Sequence, residues 1–106
     1  MPAIPEISVQ EAAAALQSGA VLLDVREPFE LALARVDPCL HIPLREITGR
    51  LAEIPADQPV LVLCHVGARS ARVTQFLLGQ GRSNVANIAG GIEAWACEVD
   101  PSLARY

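Results

Sequence analysis

Lysine is absent from this sequence of 106 residues: its eight basic residues are all arginine, scattered along a chain of net charge −4. That distribution excludes a nucleic-acid surface built on a basic stripe, and it leaves room for a small anion held at one place. Long apolar runs are absent too. No stretch approaches the roughly 20 uninterrupted apolar residues of a membrane span. The opening Met1-Pro2-Ala3-Ile4-Pro5-Glu6 has neither the basic nor the apolar region of a secretory leader. The expectation is a soluble, cytoplasmic protein with no membrane partner. The three cysteines, Cys39, Cys64 and Cys97, form an odd set with no Cys-x-x-Cys spacing, which indicates neither a disulfide framework nor a zinc cluster. A metal site drawn from these and His41 and His65 would need convergent ligands that no spacing supplies, so no metal is expected.

What the chain does have is apolar substance. Apolar residues make up 52% and charged residues 19%, enough for a packed core and too apolar for general disorder. The length suits one domain, residues 1–106, without a second core.

Ser8-Val9-Gln10-Glu11 has the form of a capping box, and the Ala-rich run behind it predicts a helix from about Val9 to Ser18. Val21-Leu22-Leu23-Asp24 and Val60-Leu61-Val62-Leu63 are short apolar runs without helical period, as in strands buried on both faces. Pro28 opens a second helix through Ala34, and His41-Ile42 before Pro43 reads as a brief extended piece. Leu44, Ile47, Leu51 and Ile54 recur at spacings of three and four, predicting an amphipathic helix stopped by Pro55. Val73, Phe76 and Leu77 give the helix after Cys64 its apolar stripe, Val85 to Ile88 makes a last strand, and Gly90-Gly91 leads into a helical turn around Ile92 to Cys97. Strands alternating with helices imply right-handed crossovers and a parallel sheet covered on both faces.

In such sheets the ligand site lies beyond the carboxyl ends of the strands. The residues there are Asp24 to Arg26, the loop Cys64-His65-Val66-Gly67-Ala68-Arg69-Ser70, and Gly90-Gly91. The Cys64 loop joins a buried strand directly to a helix, with Gly67 free to take a positive φ in the middle. A loop so tight turns several N–H groups inward beside the helix's partial positive charge, and this cradle suits an anion. A helix N-terminus and a neighbouring arginine favour a cysteine's nucleophilic thiolate, here at the rim of the loop. The competing reading is that Cys64 caps a buried strand as free cysteines often do. Cys39 and Cys97 lack flanking Gly and Arg and read as packing residues. His65, next to Cys64 in sequence, is expected to face solvent or substrate and not to turn back on its neighbour, and His41 reads as structural. Asp24 and Arg26 read as a fastening of the loops, with Glu27 or Glu30 within sequence reach of Arg26. Gly90-Gly91 reads as a close backbone approach, and Asp100-Pro101-Ser102 as a surface turn.

Four pieces in register carry a family resemblance: Leu22 to Glu30, His41-Ile42-Pro43-Leu44, Cys64 to Ser70, and Ala89-Gly90-Gly91-Ile92-Glu93-Ala94-Trp95. Together they resemble the rhodanese-like domain, in its single-domain sulfurtransferase form. The resemblance implies a three-layer α/β/α fold with a five-stranded parallel sheet in order 3-2-4-5-1. It implies that Cys64 carries sulfur as a persulfide, with His65, Val66, Gly67, Ala68, Arg69 and Ser70 cradling the outer sulfur. Phosphatases and arsenate reductases on this fold have one more residue between cysteine and arginine, so Cys64-x-x-x-x-Arg69 favours sulfur over phosphate. Where the family commonly has Gly-His-Ile-Pro-Gly-Ala, this chain has Ala34-Arg35-Val36-Asp37-Pro38-Cys39, a departure that bears on local shape. Residues 98–106 look like the ends of rhodanese domains fused to enzymes that adenylate ubiquitin-like sulfur carriers.

The implied activity is a double displacement without cofactor, from a donor such as thiosulfate or a persulfide to a thiophilic acceptor such as cyanide or a thiol. A sulfur-carrier protein or a cysteine desulfurase is the implied protein partner. Two other readings compete: a non-catalytic, partner-dependent sulfur-relay module, and a cysteine phosphatase or arsenate reductase.

Overall fold

The computed structural model describes residues 4–106; Met1 to Ala3, part of the opening stretch read above for a leader, lie outside them. The elements are β1 (Glu6–Ile7), α1 (Val9–Gln17), β2 (Val21–Asp24), α2 (Pro28–Leu33), β3 (Leu40–His41), β4 (Val60–Leu63), α3 (Ala68–Gly79), β5 (Val85–Ile88) and α4 (Gly91–Glu98). The sheet order is β1-β5-β4-β2-β3, with every neighbouring pair parallel. This is the expected order 3-2-4-5-1 read from the other edge. The two-residue strand β1 is too short to show periodicity; its pairing with β5 creates it.

Strand geometry sends successive side chains to opposite faces. In β4 all four residues are buried. Val60, Val62 and Cys64 join a core cluster with Val73 and Leu77 of α3, and Leu61 and Leu63 join one with Val9, Ile92 and Trp95 of α1 and α4. Burial on both faces thus explains the lack of alternation in the sequence. The predicted capping box is present: the Ser8 hydroxyl accepts the Glu11 N–H at 3.0 Å, and the Glu11 carboxylate accepts the Ser8 N–H at 2.9 Å.

The segment from Leu44 to Ile54 departs from its predicted amphipathic α-helix. It forms two short 3-10 helices, Leu44–Gly49 and Leu51–Glu53. The spacings 44 to 47 and 51 to 54 are each three, the period of a 3-10 turn, and Gly49 is poor material for a continuous α-helix. Ile47 and Ile54 are buried all the same, so the apolar pattern reports burial faithfully and helix type wrongly. Among the described residues, no helix is long and apolar enough to cross a membrane.

Candidate active site

The sheet delivers Asp24 and Leu63 side by side at the ends of β2 and β4, paired in register. Beyond them the chain turns through Cys64 to Gly67 and enters α3. Gly67 has φ +107°, the positive value expected for the turn. A second clamp comes from α4. The N–H groups of Ile92 and Glu93 donate to the Cys64 and His65 carbonyls at 2.9 and 3.0 Å. Gly91, itself at φ +60°, lies so close that a Cβ there would stand 2.5 Å from the His65 oxygen and 2.6 Å from the Cys64 oxygen. The close approach read from Gly90-Gly91 therefore falls on the candidate catalytic loop itself. The helix N-terminus draws the loop carbonyls toward itself, and this fixes the path of the loop around Cys64.

Cys64 is expected at an open rim, and the structure corrects this: the residue is only 1% exposed and belongs to the core cluster beneath α3. It also has polar company. Its Sγ accepts the Gly67 N–H at 3.1 Å and the Ser70 hydroxyl at 3.2 Å. Ser70 and Thr74 are themselves fully buried, and the Thr74 hydroxyl donates to the Ser70 carbonyl at 2.8 Å. A cysteine that merely caps a strand has no need of two aimed donors. Donors of this kind stabilise negative charge on sulfur and lose part of their value when the sulfur is neutral. Ala68 is exposed at the first position of α3, and Val66 stands 58% exposed at the tip of the loop.

Arg69 is not a free cation. Its guanidinium forks onto the Glu30 carboxylate, Nη1 to Oε1 at 2.7 Å and Nη2 to Oε2 at 2.8 Å. Glu30 also accepts the Glu27 N–H at 3.0 Å and the Tyr106 hydroxyl at 2.8 Å. Led by the Arg69 hydrogen bonds, these contacts hold the Glu30 carboxyl down at about 2, well below the ordinary carboxylate value. The same pairing raises the Arg69 guanidinium further above its usual range.

Asp24 and Arg26 form the expected fastening, as a fully buried ion pair: Nε to Oδ1 at 3.0 Å and Nη2 to Oδ2 at 2.8 Å. The guanidinium donates also to the carbonyls of Glu30 and Ala34 at 3.2 and 2.8 Å. Such a pair survives burial because its remaining hydrogens find acceptors. The expected help from Glu27 or Glu30 takes another form. Glu30 meets Arg26 through its carbonyl, and Glu27 forms an ion pair with Arg45. His41 is structural, its Nε2 donating to the Arg26 carbonyl at 2.7 Å. Cys39 and Cys97 are free thiols, Cys39 near the Arg35 guanidinium and Cys97 near the Glu93 carboxylate; burial pushes the Cys39 thiol up.

His65 turns away from Cys64, as expected, and meets a residue that sequence reasoning missed. Its ring stacks on that of Tyr106 at 4.1 Å between centroids and 7° between planes. The Tyr106 hydroxyl accepts a hydrogen bond from Arg26 at 2.9 Å while donating to Glu30. Nothing in the spacing links position 106 to position 65. The one available signal is that the chain has a single tyrosine, placed beside an arginine after a turn.

Comparison with known proteins places the chain in a family. Residues 8–98 match the family described as Rhodanese-like domain. A protein named Sulfurtransferase from Allochromatium vinosum is 41% identical over 84 residues, covering 79% of this chain and 78% of its own. Thiosulfate sulfurtransferase GlpE of Pseudomonas entomophila is 34% identical over 95 residues, covering 90% of this chain and 87% of its own. Among solved structures, reduced Bacillus anthracis CoADR-RHD superposes with a TM-score of 0.88 at 30% identity over 97% of this chain, which spans only 18% of that larger one. With the fold, the strand-to-helix cysteine loop and a family match over most of its length, the chain belongs to the rhodanese-like domain family.

Proposed function

We propose that this protein is a sulfurtransferase that passes a sulfane sulfur through a persulfide on Cys64. One observation carries the reading: the Cys64 Sγ accepts hydrogen bonds from the Gly67 N–H and the Ser70 hydroxyl inside a strand-to-helix loop. In the first step the Cys64 thiolate attacks the outer sulfur of thiosulfate. A sulfur–sulfur bond forms, the donor's own breaks, and sulfite leaves with its electron pair. In the second step cyanide or a thiolate attacks the outer sulfur of the persulfide, releasing thiocyanate or a new persulfide and restoring the thiolate. Charge and electrons balance at each step without an outside oxidant, reductant or cofactor. The loop donors hold negative charge on sulfur in both resting states, and Arg69 and the first turn of α3 add a positive field. The relative named thiosulfate sulfurtransferase supports thiosulfate as donor. Three free thiols support a reducing, cytoplasmic setting. The reading takes residues 1–106 as one catalytic unit.

The test is thiocyanate formation from thiosulfate and cyanide, for the wild type and Cys64→Ser. Turnover by the wild type and none by the variant is the expected result; equal rates would remove Cys64 from the mechanism.

One observation favours a second reading, a relay that takes sulfur from a protein persulfide. The Arg69 charge is already shared with Glu30, which weakens the pull on a dianionic donor. Loading of Cys64 by a cysteine desulfurase far faster than by thiosulfate would select the relay, and the reverse order the free-standing enzyme.

A further inference from the structure

The segment after α4 comes back over the candidate site. It leaves the helix through hydrogen bonds from the Val99 and Asp100 N–H groups to the Trp95 carbonyl, both 2.9 Å. It then fastens at two places. Arg105 pairs with Glu93, its Nε donating at 2.9 Å, and Glu93 is the residue whose N–H holds the His65 carbonyl. Tyr106 stacks on His65 and hydrogen-bonds Glu30 and Arg26. His65 is the first loop residue after Cys64, and Glu30 holds Arg69 near the loop's far end. One side chain therefore touches one end of the Cys64 loop directly, at His65, and reaches the other through the Glu30 carboxylate that holds Arg69.

We propose that Arg105 and Tyr106 form a strap across the Cys64 loop, and that Tyr106 is a positioning residue that sets the size of donor or acceptor admitted to the sulfur. In its role for sulfur transfer the inference rests on the reading given above. His65, Val66, Glu93, Arg105 and Tyr106 together line a cleft of about 480 Å³, so an incoming carrier meets the strap where it meets the loop. A small inorganic donor or acceptor needs only the space of a few atoms. A peptide-sized thiol has to lift Tyr106 first. The strap is built to be lifted: Tyr106 is 36% exposed, Arg105 is exposed, and the Arg105–Glu93 pair lies at the surface, where an ion pair is weak.

The test uses the full chain with Cys39→Ser and Cys97→Ser, so that Cys64 is the sole thiol. Rates of alkylation are compared for iodoacetamide and for a fluorescein maleimide. Loss of one stacked ring and two hydrogen bonds shifts an opening equilibrium about tenfold. Tyr106→Ala is therefore expected to speed the bulky reagent about tenfold relative to iodoacetamide. Tyr106→Phe keeps the ring and loses the hydroxyl, so its selective gain is expected to be smaller. Arg105→Ala loosens the strap without touching the ring and carries the test if Tyr106→Ala fails to fold. An unchanged ratio of the two rates in the folded variants, or equal acceleration of both reagents, would overturn the strap. Alkylation involves no sulfur transfer, so its outcome stands apart from that of the thiocyanate assay.

Discussion

At the scale of single residues, the chemistry depends on how charge is shared around one sulfur. Ser70 is buried behind Cys64 with its hydroxyl aimed at Sγ, while the Gly67 N–H comes from the loop backbone. A hydrogen bond to a charged acceptor is worth enough that Ser70→Ala should lower kcat/KM for sulfur loading on the order of tenfold, read from sulfite release, with little change in unfolding midpoint. Glu30 makes a different prediction. Its carboxyl is depressed to about 2 in the folded protein, so the stability it contributes is present above the ordinary carboxylate range and is lost as pH falls from about 4.5 toward 2. Arg69, its side chain 35% exposed, reduces the effect by solvent screening, to on the order of 2 kcal/mol. Denaturant titrations across that window should therefore show Glu30→Gln losing less stability than the wild type; parallel losses would remove Glu30 as an acid-sensitive group. That Ser70 lies near Cys64 was legible because they share one loop; that its hydroxyl is the group that meets Sγ was not, because only the packing of α3 turns it inward. The partner of Arg69 was not, because Glu30 lies 39 positions away and sequence reach favoured Arg26.

Elements set the loop's path, and two glycines show how. Gly67 supplies the left-handed turn, and the α4 N-terminus grips the Cys64 and His65 carbonyls across Gly91. A methyl group at Gly91 would collide with both carbonyl oxygens and sit at a φ that L-residues avoid. Gly91→Ala should cost about 2 to 3 kcal/mol and also slow sulfur loading per folded molecule, because the collision falls on the loop. Leu77→Ala provides the contrast. Leu77 is fully buried in α3, two helical turns beyond Arg69 and without a polar contact to the loop, so its truncation should cost about 2 to 5 kcal/mol and leave loading per folded molecule near the wild-type rate. Thermal or denaturant unfolding beside the loading assay separates the two. Most elements were readable from local signals: the capping box, the apolar strands, the glycine pair. The segment from Leu44 to Ile54 was misread because spacings of three fit an α-helical stripe and a chain of 3-10 turns equally well, and only packing chooses between them.

For the whole molecule, sheet order brings residues from five stretches of chain to one end. Asp24 ends β2 and Arg26 follows it, Glu30 lies in α2, Cys64 to Ser70 follow β4, Gly91 to Glu93 open α4, and Tyr106 returns from beyond it. The alternation of strands and helices made that end predictable, since loops at strand carboxyl ends converge there. Tyr106 follows no strand, and so no periodicity announces it. The lack of lysine turns out to be useful in testing the central claim. Cleavage after arginine places Cys39, Cys64 and Cys97 on separate peptides, residues 36–45, 51–69 and 83–105. After incubation with thiosulfate and removal of excess donor, peptide mass measurement should find one added sulfur atom on 51–69 alone, lost again on addition of cyanide. Sulfur on 36–45 or 83–105 in place of 51–69, or on none of them with either thiosulfate or a persulfide donor, would contradict transfer through Cys64.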